Sequence, residues 1–274
     1  MRRRLIVNGD DYGRFPEVSR GIRDAHNYGI LTSTTTMMNM PSAERDLQIA
    51  LEEAPGLGLG VHLVLTCGQP LLPASSVYTL VDAQGTFLQH TYLLQSVEQV
   101  DPLHARAEWH RQIEKFISVT GKKPTHLDSH HHSSYFSVPL FAEMLALALE
   151  FDLPIRLPRP IGDIGLDGLP LDRHQAYIQG IDKLMAGDKP RTPDALVFSF
   201  YDDGISTGDM LKIMSQLGPG STEVMCHPGY VTEALVQGTS YASQRAVELA
   251  TLTSREVKEA ISELGIELIT FDQL

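Results

Sequence analysis

Cysteine is scarce in this sequence, and the two that occur, Cys67 and Cys226, are separated by more than half of the 274 residues. Two distant thiols do not make the disulfide framework that stabilises small secreted domains. We therefore predict a reducing, cytoplasmic setting for the chain, with an exported protein that has no disulfide bridges as the alternative.

Long hydrophobic runs are also lacking, which argues against a membrane span. The most apolar region, residues 141–149, contains Glu143 and is typical of an amphipathic helix, whereas a spanning helix needs about 20 apolar residues. After the basic residues 2–4, only residues 5–7 are apolar before Asn8, which is too short for the core of a signal peptide. We expect neither a membrane partner nor a signal peptide.

Positive charge is in short supply as well. The chain has 22 Lys and Arg against 34 Asp and Glu, so its formal net charge is −12 with neutral histidine. A surface of this sign repels phosphate backbones and anionic lipids. We therefore set nucleic acid and membrane surfaces aside as partners.

Short apolar runs rich in β-branched residues alternate with helical patterns, and this alternation predicts one α/β domain over residues 1–274. The predicted strands are residues 4–8, 31–39, 57–65, 125–129, 154–157, 195–200, 222–226 and 266–271. Eight such units favour a distorted (β/α) barrel of TIM-barrel type, with a doubly wound open sheet as the alternative. Residues 69–89 and 158–170 are interpreted as loops inside the domain.

The first polar motif directly follows the first predicted strand and reads Asn8-Gly9-Asp10-Asp11-Tyr12-Gly13. Parallel α/β folds place their active sites at this end of their strands. Two adjacent carboxylates repel each other, so each is expected to have a function of its own. A metal ligand beside a general base would account for both. The alternative is a plain turn, since Asp and Gly favour turns.

Histidines supply the next two motifs. His62 lies within the apolar run Gly-Val-His-Leu, where it is either a metal ligand or a hydrogen-bonded core residue. Four histidines and one aspartate then fall within residues 126–132, and imidazole and carboxylate are the usual ligands of zinc. Strand alternation predicts His126, Asp128 and His130 on one side, and a solvated polar loop is the alternative.

A fourth motif, Cys226-His227-Pro228, ends a later strand. Because a residue before proline is held extended, His227 is a candidate acid–base group. Cys226 is a candidate nucleophile, although a cysteine in an apolar strand is more often part of the core. Arg156 and Arg159, near the fifth strand, are candidates for binding substrate or for pairing with a carboxylate.

Together these motifs resemble those of the YdjC-like carbohydrate deacetylases, and most closely those of the chitooligosaccharide deacetylase branch. The shared blocks are Asn-x-Asp-Asp-x-Gly, Thr-Ser-Thr-Thr after Leu31, Gly-x-His-Leu, Thr-His-Leu-Asp-Ser-His and Met-Cys-His-Pro, in the family's order over residues 5–229. Gly9, Tyr12 and Ser134 depart from the residues common in the family, whereas the three metal positions are intact.

The resemblance implies a single deacetylase domain on a distorted (β/α) barrel. Its substrates would be N-acetylated amino sugars, of the chitobiose type or their phosphates, as in chitin and polysaccharide degradation. It implies one divalent cation, magnesium or zinc, with Asp11, His62 and His130 as ligands, and a catalytic base at Asp10 or Asp11. The candidate substrate-binding residues are Tyr12, Asp128, His132 and Arg156, and Asp128 is also a candidate for orienting a ligand histidine.

We predict a mechanism in which a divalent cation polarises water and the acetamide carbonyl. Asp10 then removes the water proton, and His227, as imidazolium, protonates the departing amine. Tyr12, Tyr135 and Phe136 are candidate aromatic platforms for a sugar ring. The alternatives are a metal-dependent phosphoesterase on a similar barrel and a non-enzymatic metal- or carbohydrate-binding protein. The oligomeric state is open, with a homodimer as one option.

Overall fold

The structure is a computed structural model that describes residues 2–157 and 171–274. The chain divides into two compact units, the first made of Met1–Thr36, Pro41–Gly60 and Pro193–Leu274 and the second of Met37–Met40 and Val61–Thr192. The predicted loop at residues 158–170 lies outside the described residues, and Arg159 lies outside them with it.

Strands and helices alternate along the described part of the chain. The strands are β1 (Arg3–Tyr12), β2 (Ser33–Thr36), β3 (Gly58–Leu63), β4 (Leu127–Ser129), β5 (Ala195–Val197), β6 (Gly220–Cys226) and β7 (Ile266–Leu268). The helices are α1 (Pro16–Tyr28), α2 (Ala43–Glu53), α3 (His90–Gln95), α4 (Pro102–Thr120), α5 (Val138–Phe151), α6 (Leu171–Met185), α7 (Thr207–Ser215), α8 (Glu233–Gly238), α9 (Ser243–Thr253) and α10 (Arg255–Glu263).

The first unit is built on a parallel sheet with β1 at its centre. Strand β1 pairs with β2, β6 and β7, strand β5 pairs with β6, and β2 neighbours β3. Leu5, Ile6 and Val7 of β1 have no exposed surface. An unbroken apolar run of this kind is typical of a parallel strand that is covered on both faces.

The register between β1 and β6 brings two of the predicted motifs to the same edge of this sheet. Paired residues run from Arg3 with Gly220 to Gly9 with Cys226. Asp10 and His227 are therefore the next residues along two adjacent parallel strands. Helix α1 covers the sheet with Val18, Ile22 and Ala25, which are fully buried at the three- and four-residue spacing of an amphipathic helix.

The second unit contains the end of β3, which pairs in parallel with β4 from Val61 with Leu127 to Leu63 with Ser129. Its helices have well-defined ends. Helix α4 starts where the side chain of Asp101 accepts a hydrogen bond from the backbone of Leu103, at 2.9 Å, and ends at Gly121 with a φ of 69°.

The long loop at residues 69–89 is held at its start by one buried carboxylate. The oxygens of Glu108 in α4 accept hydrogen bonds from the backbone N–H groups of Leu71 at 2.9 Å and Leu72 at 3.0 Å. Gln112 donates a third at 2.9 Å, and burial raises the pKa of Glu108. The loop prediction is confirmed, since the segment holds a short 3-10 turn, Ala74–Ser76, and one antiparallel bridge.

The predicted α/β alternation with a parallel sheet is confirmed, but the strand predicted at residues 154–157 is wrong. This segment makes only an isolated bridge between Leu127 and Ile155. Pro154 has no N–H group to donate to a ladder, which explains why the pairing does not extend. Among the helices that the structure describes, none is both long and apolar enough to span a membrane.

Candidate active site

The carboxyl end of β1 carries two adjacent buried carboxylates. Asp10 and Asp11 are each 2% exposed, and the pairing of β1 with β2 shifts register between Gly9 and Tyr12. Asp11 has a φ of 71°, in the left-handed region that Asp tolerates better than most non-glycine residues. A conformation of this kind costs about 1–3 kcal/mol, so contacts around Asp11 must hold it in place.

Two arginines provide those contacts to Asp11. Arg245 of α9 forms a buried ion pair with Oδ2 of Asp11, and Arg14 lies 3.5 Å from the same oxygen. Arg245 is itself fixed, because its Nε donates to the backbone oxygen of Tyr241 at 3.0 Å. The Asp11 carboxylate is therefore charge-compensated on one oxygen and oriented by a rigid partner.

Asp10 has different neighbours from Asp11. The side-chain amide of Asn8 donates to Oδ1 of Asp10 at 2.8 Å. Nε2 of His227 lies 4.0 Å from Oδ2 of the same carboxylate. Asp10, near the end of β1, and His227, directly after β6, are thus neighbours at this edge of the sheet, and both are of a residue type that transfers protons.

The backbone of His227 is held by a buried carboxylic acid that the sequence analysis missed. The backbone N–H of His227 donates to Glu248 of α9, whose other oxygen accepts from the hydroxyl of Tyr241. Burial raises the pKa of Glu248 to about 7, and the two hydrogen bonds and Arg245 offset this rise in part. Glu248 is thus a side chain that changes charge near neutral pH beside the predicted acid.

We predict that Glu248 makes the stability of the protein fall as the pH rises. Its pKa is about 7 in the folded chain against an ordinary 4.5, so the folded state holds the proton more tightly. The contribution of Glu248 to the free energy of unfolding is complete below pH 4.5. It is lost as the pH rises from 4.5 to 7, at up to about 1.4 kcal/mol per pH unit. Urea unfolding from pH 4.5 to pH 8 should show this fall in the wild type and not in Glu248→Gln. An exposed control, Glu263→Gln, should keep the wild-type profile, and an equal fall in the Glu248 variant would refute the assignment.

A second buried cluster lies in the other unit, at the paired ends of β3 and β4. His62 stands opposite Asp128 in the register, and its Nδ1 lies 2.6 Å from Oδ1 of Asp128. Arg156 pairs with Oδ2 of Asp128 at 2.9 Å, and both of these side chains are fully buried. An Nδ1–H that donates to a carboxylate leaves the lone pair of His62 on Nε2, which is the arrangement common among metal-binding histidines.

His130 joins this cluster on the Nε2 side of His62. Nδ1 of His130 lies 3.4 Å from Nε2 of His62. The ring of His131 stacks on that of His130 with centroids 3.9 Å apart, and Nδ1 of His131 lies 3.0 Å from the hydroxyl of Thr66. The imidazole of His130 is therefore packed from one side and faces a second imidazole on another.

The rest of the histidine motif is spread over different environments. His131 and His132 both have left-handed backbones, with φ of 53° and 56°, so the extended alternation predicted from the sequence stops at His130. His126 is buried, and its Nδ1 lies 2.9 Å from the hydroxyl of Thr125. The role of His132 in substrate binding stays a prediction.

Three residues predicted to bind substrate are core residues in the structure. Tyr12 is fully buried, and its hydroxyl donates to the backbone oxygen of Asp46 at 2.6 Å and accepts from Arg23 at 3.0 Å. Asp128 and Arg156 are equally buried and pair with each other. A side chain without exposed surface offers nothing to a sugar ring, so the structure favours structural and orienting roles for all three.

The other two predicted aromatic platforms are buried as well. Tyr135 is 1% exposed, its hydroxyl donates to the backbone oxygen of Arg156, and its own backbone oxygen accepts from Tyr177 at 2.6 Å. Phe136 is 3% exposed and packs edge-on against His90. The aromatic residues beside the ligand motifs therefore support the histidine turn from within the core.

Arg245 and Glu248 are the two polar residues that sequence reasoning missed. They occupy the buried face of α9 together with Leu249, Thr251 and Leu252. The available signal was a pair of charged residues three apart on a helix face that is otherwise mostly apolar. Such a pattern is costly unless both charges are compensated, which makes it an indication of a buried polar site.

The fold and the two clusters define a class of α/β proteins with carboxylate and histidine side chains at the carboxyl ends of parallel strands. A family model described as YdjC-like protein matches residues 4–263. The chain belongs to the YdjC-like family, and the resemblance noted in the sequence is confirmed.

Named relatives share nearly the whole length of the chain. A carbohydrate deacetylase from Thermoanaerobacter pseudethanolicus is 36% identical over 270 residues, covering 98% of both chains. A chitooligosaccharide deacetylase from Yersinia pestis is 32% identical over 274 residues, covering 99% of both. A solved structure from Enterococcus faecalis V583, of a protein proposed to cleave cellobiose phosphate, has a TM-score of 0.85 at 33% identity and covers 100% of this chain and 99% of its own.

Proposed function

We propose that this chain is a metal-dependent hydrolase that removes N-acetyl groups from amino sugars. The observation that carries the proposal is the full-length match to proteins named carbohydrate deacetylases and chitooligosaccharide deacetylases. Chitobiose-type oligosaccharides and their phosphates are the proposed substrates. The structural relative proposed to cleave cellobiose phosphate supports including a phosphorylated disaccharide.

The buried Asp and His side chains are candidate ligands for a divalent cation. The second unit passes a test of fit, because Nδ1 of His130 and Nε2 of His62 are 3.4 Å apart. Two nitrogens that are each about 2.1 Å from a tetrahedral zinc ion are separated by about 3.4 Å. We propose His62 and His130 as ligands, with Asp11 as the third and with magnesium or zinc as the ion. When bound, the ion supplies a Lewis acid for water and the acetamide carbonyl.

Asp10 and His227 are the proposed proton-transfer groups. Asn8 holds Oδ1 of Asp10, so Oδ2 on the His227 side is the proposed acceptor for the proton of the attacking water. His227, once protonated, is the proposed donor to the departing amine. Oδ2 of Asp11 is already paired with Arg245, so we propose Asp10 as the base and Asp11 as the ligand.

The family match over residues 4–263 supports a single deacetylase domain that includes both compact units. We propose that this domain is a distorted (β/α) barrel. The strand order β4-β3-β2-β1-β6-β5 supports this, since the first four strands neighbour one another in chain order, as barrel strands do. A cytoplasmic location and the oligomeric state stay predictions.

The proposed function predicts acetate release that depends on a divalent cation. Di-N-acetylchitobiose, its phosphate and a short chitin oligomer should each be tested with magnesium, with zinc and without metal. Asp10→Asn should keep the ion and lose most of the turnover, because the amide cannot accept a proton. No acetate from any of these substrates, together with metal-dependent release of phosphate from simple esters, would favour the phosphoesterase instead.

A further inference from the structure

The ring of Tyr201 is the aromatic surface that lies exposed beside the proposed acid. Tyr201 is 46% exposed, whereas the three aromatic platforms expected from the sequence are almost completely buried. Its ring meets that of His227 edge-on, with centroids 5.6 Å apart. Tyr201 follows β5, the neighbour of β6, so it belongs to the same edge of the sheet as His227.

One face of this ring is already covered and the ring is held rigidly. Tyr201 stacks on Tyr241 with centroids 4.5 Å apart and an angle of 7° between the planes. The hydroxyl of Tyr241 accepts a hydrogen bond from the backbone of Asp202 at 3.1 Å, and Gln244 donates to the Asp202 side chain at 3.0 Å. Gly204 closes the turn by donating to the backbone oxygen of Tyr201 at 3.0 Å.

A ring fixed in this way is suited to binding a pyranose. The stack with Tyr241 takes up one face of Tyr201, so the exposed surface is the opposite face and an edge. Sugar rings present apolar C–H faces that pack on aromatic faces. Because the Tyr201 ring is held before the ligand arrives, little side-chain entropy is lost on binding.

We propose that Tyr201 is the platform on which a sugar ring of the substrate packs while its acetamide group lies at His227. This inference rests on the proposed function and adds the residue that binds the sugar. The ring makes the same apolar contacts with the bound substrate and with the transition state. Removing the ring should therefore raise KM and leave kcat nearly unchanged.

The test compares KM and kcat of Tyr201→Ala and Tyr201→Phe for di-N-acetylchitobiose. Both variants are assayed with whichever of magnesium and zinc supports the activity of the wild type. Tyr201→Ala should raise KM about ten-fold, equivalent to about 1.4 kcal/mol, with little change in kcat. Tyr201→Phe keeps the ring and should restore most of the affinity. Tyr28→Ala is the matched control, since Tyr28 is 67% exposed at the end of α1, away from the active-site edge.

Saturation-transfer NMR on di-N-acetylchitobiose supplies a readout that is independent of turnover. Transfer from aromatic protons to the sugar ring should weaken in Tyr201→Ala and persist in Tyr201→Phe and Tyr28→Ala. An unchanged KM and unchanged saturation transfer in Tyr201→Ala, with an active wild type, would refute the proposed role of Tyr201. The proposed function would be unaffected by this result. Equal losses in the Ala and Phe variants would also overturn it, because they would indicate a role for the hydroxyl. A wild type that neither binds nor deacetylates di-N-acetylchitobiose, its phosphate or a short chitin oligomer would instead refute the proposed function.

Discussion

Replacing His62 or His130 by alanine should remove the bound divalent cation and acetate release together. Each variant deletes one of two imidazole nitrogens that lie 3.4 Å apart, and alanine offers no ligand atom in its place. Purified wild type should hold about one zinc or magnesium ion per chain, and each variant should bind the ion at least about 100-fold more weakly. Elemental analysis and titration with zinc measure this directly.

Two further variants separate loss of a ligand from general damage to the fold. Asp128→Asn keeps both imidazoles but weakens the group that orients His62, and we expect a smaller loss of metal affinity, about 10–100-fold. His110→Ala removes a half-exposed histidine that contacts Glu150 at 3.2 Å, and its metal content should equal that of the wild type. Full metal occupancy in both His62→Ala and His130→Ala would contradict the ligand assignment.

His227→Ala should retain the ion and lose about 10²–10⁴-fold in kcat, the range expected for removal of a general acid. The structural reason is that Nε2 of His227 faces Asp10 at 4.0 Å, whereas its backbone N–H is bound to Glu248. The measurement is acetate release at saturating substrate, with metal content determined on the same preparation. Turnover close to that of the wild type would exclude His227 from the mechanism.

Cys226→Ala is the control for this experiment and also tests the nucleophile alternative. Cys226 is fully buried, and its thiol donates to the backbone oxygen of Asn8 at 3.2 Å. A thiol in this position belongs to the core, so its loss should affect stability slightly and leave turnover in place. Loss of turnover in Cys226→Ala with a normal fold would revive covalent catalysis by the thiol.

The sequence predicted the strands that carry the chemistry because each contains a short apolar run. The run Leu5–Val7 ends directly before Asn8 and the Asp pair, whereas His62 lies inside its apolar run. The register of β1 with β6 then places Asp10 near His227. The pairing of His62 with Asp128 likewise follows from two neighbouring strands. Local sequence patterns were therefore sufficient to predict contacts that follow from the pairing of neighbouring strands.

Local patterns failed where a contact joins distant parts of the chain or where the backbone turns. Asp11 meets Arg245, which is 234 positions away, and no spacing rule connects the two. Tyr12 follows directly after Asp11, whose left-handed φ makes strand alternation a poor guide to where the next side chain points. Platforms were expected at Tyr12, Tyr135 and Phe136, whose rings are buried, whereas the exposed ring beside His227 belongs to Tyr201.

The anchor of the 69–89 loop has a consequence for which substitutions this segment can accept. Glu108 holds the loop through the backbone N–H groups of Leu71 and Leu72, and every amino acid except proline carries such a group. The anchor is therefore insensitive to most side-chain changes at these two positions, so the loop can vary in sequence among relatives while its starting point stays fixed. Proline at either position has no N–H group, so it would remove one hydrogen bond to the buried carboxylate of Glu108. Proline is therefore the one residue type that these two positions exclude.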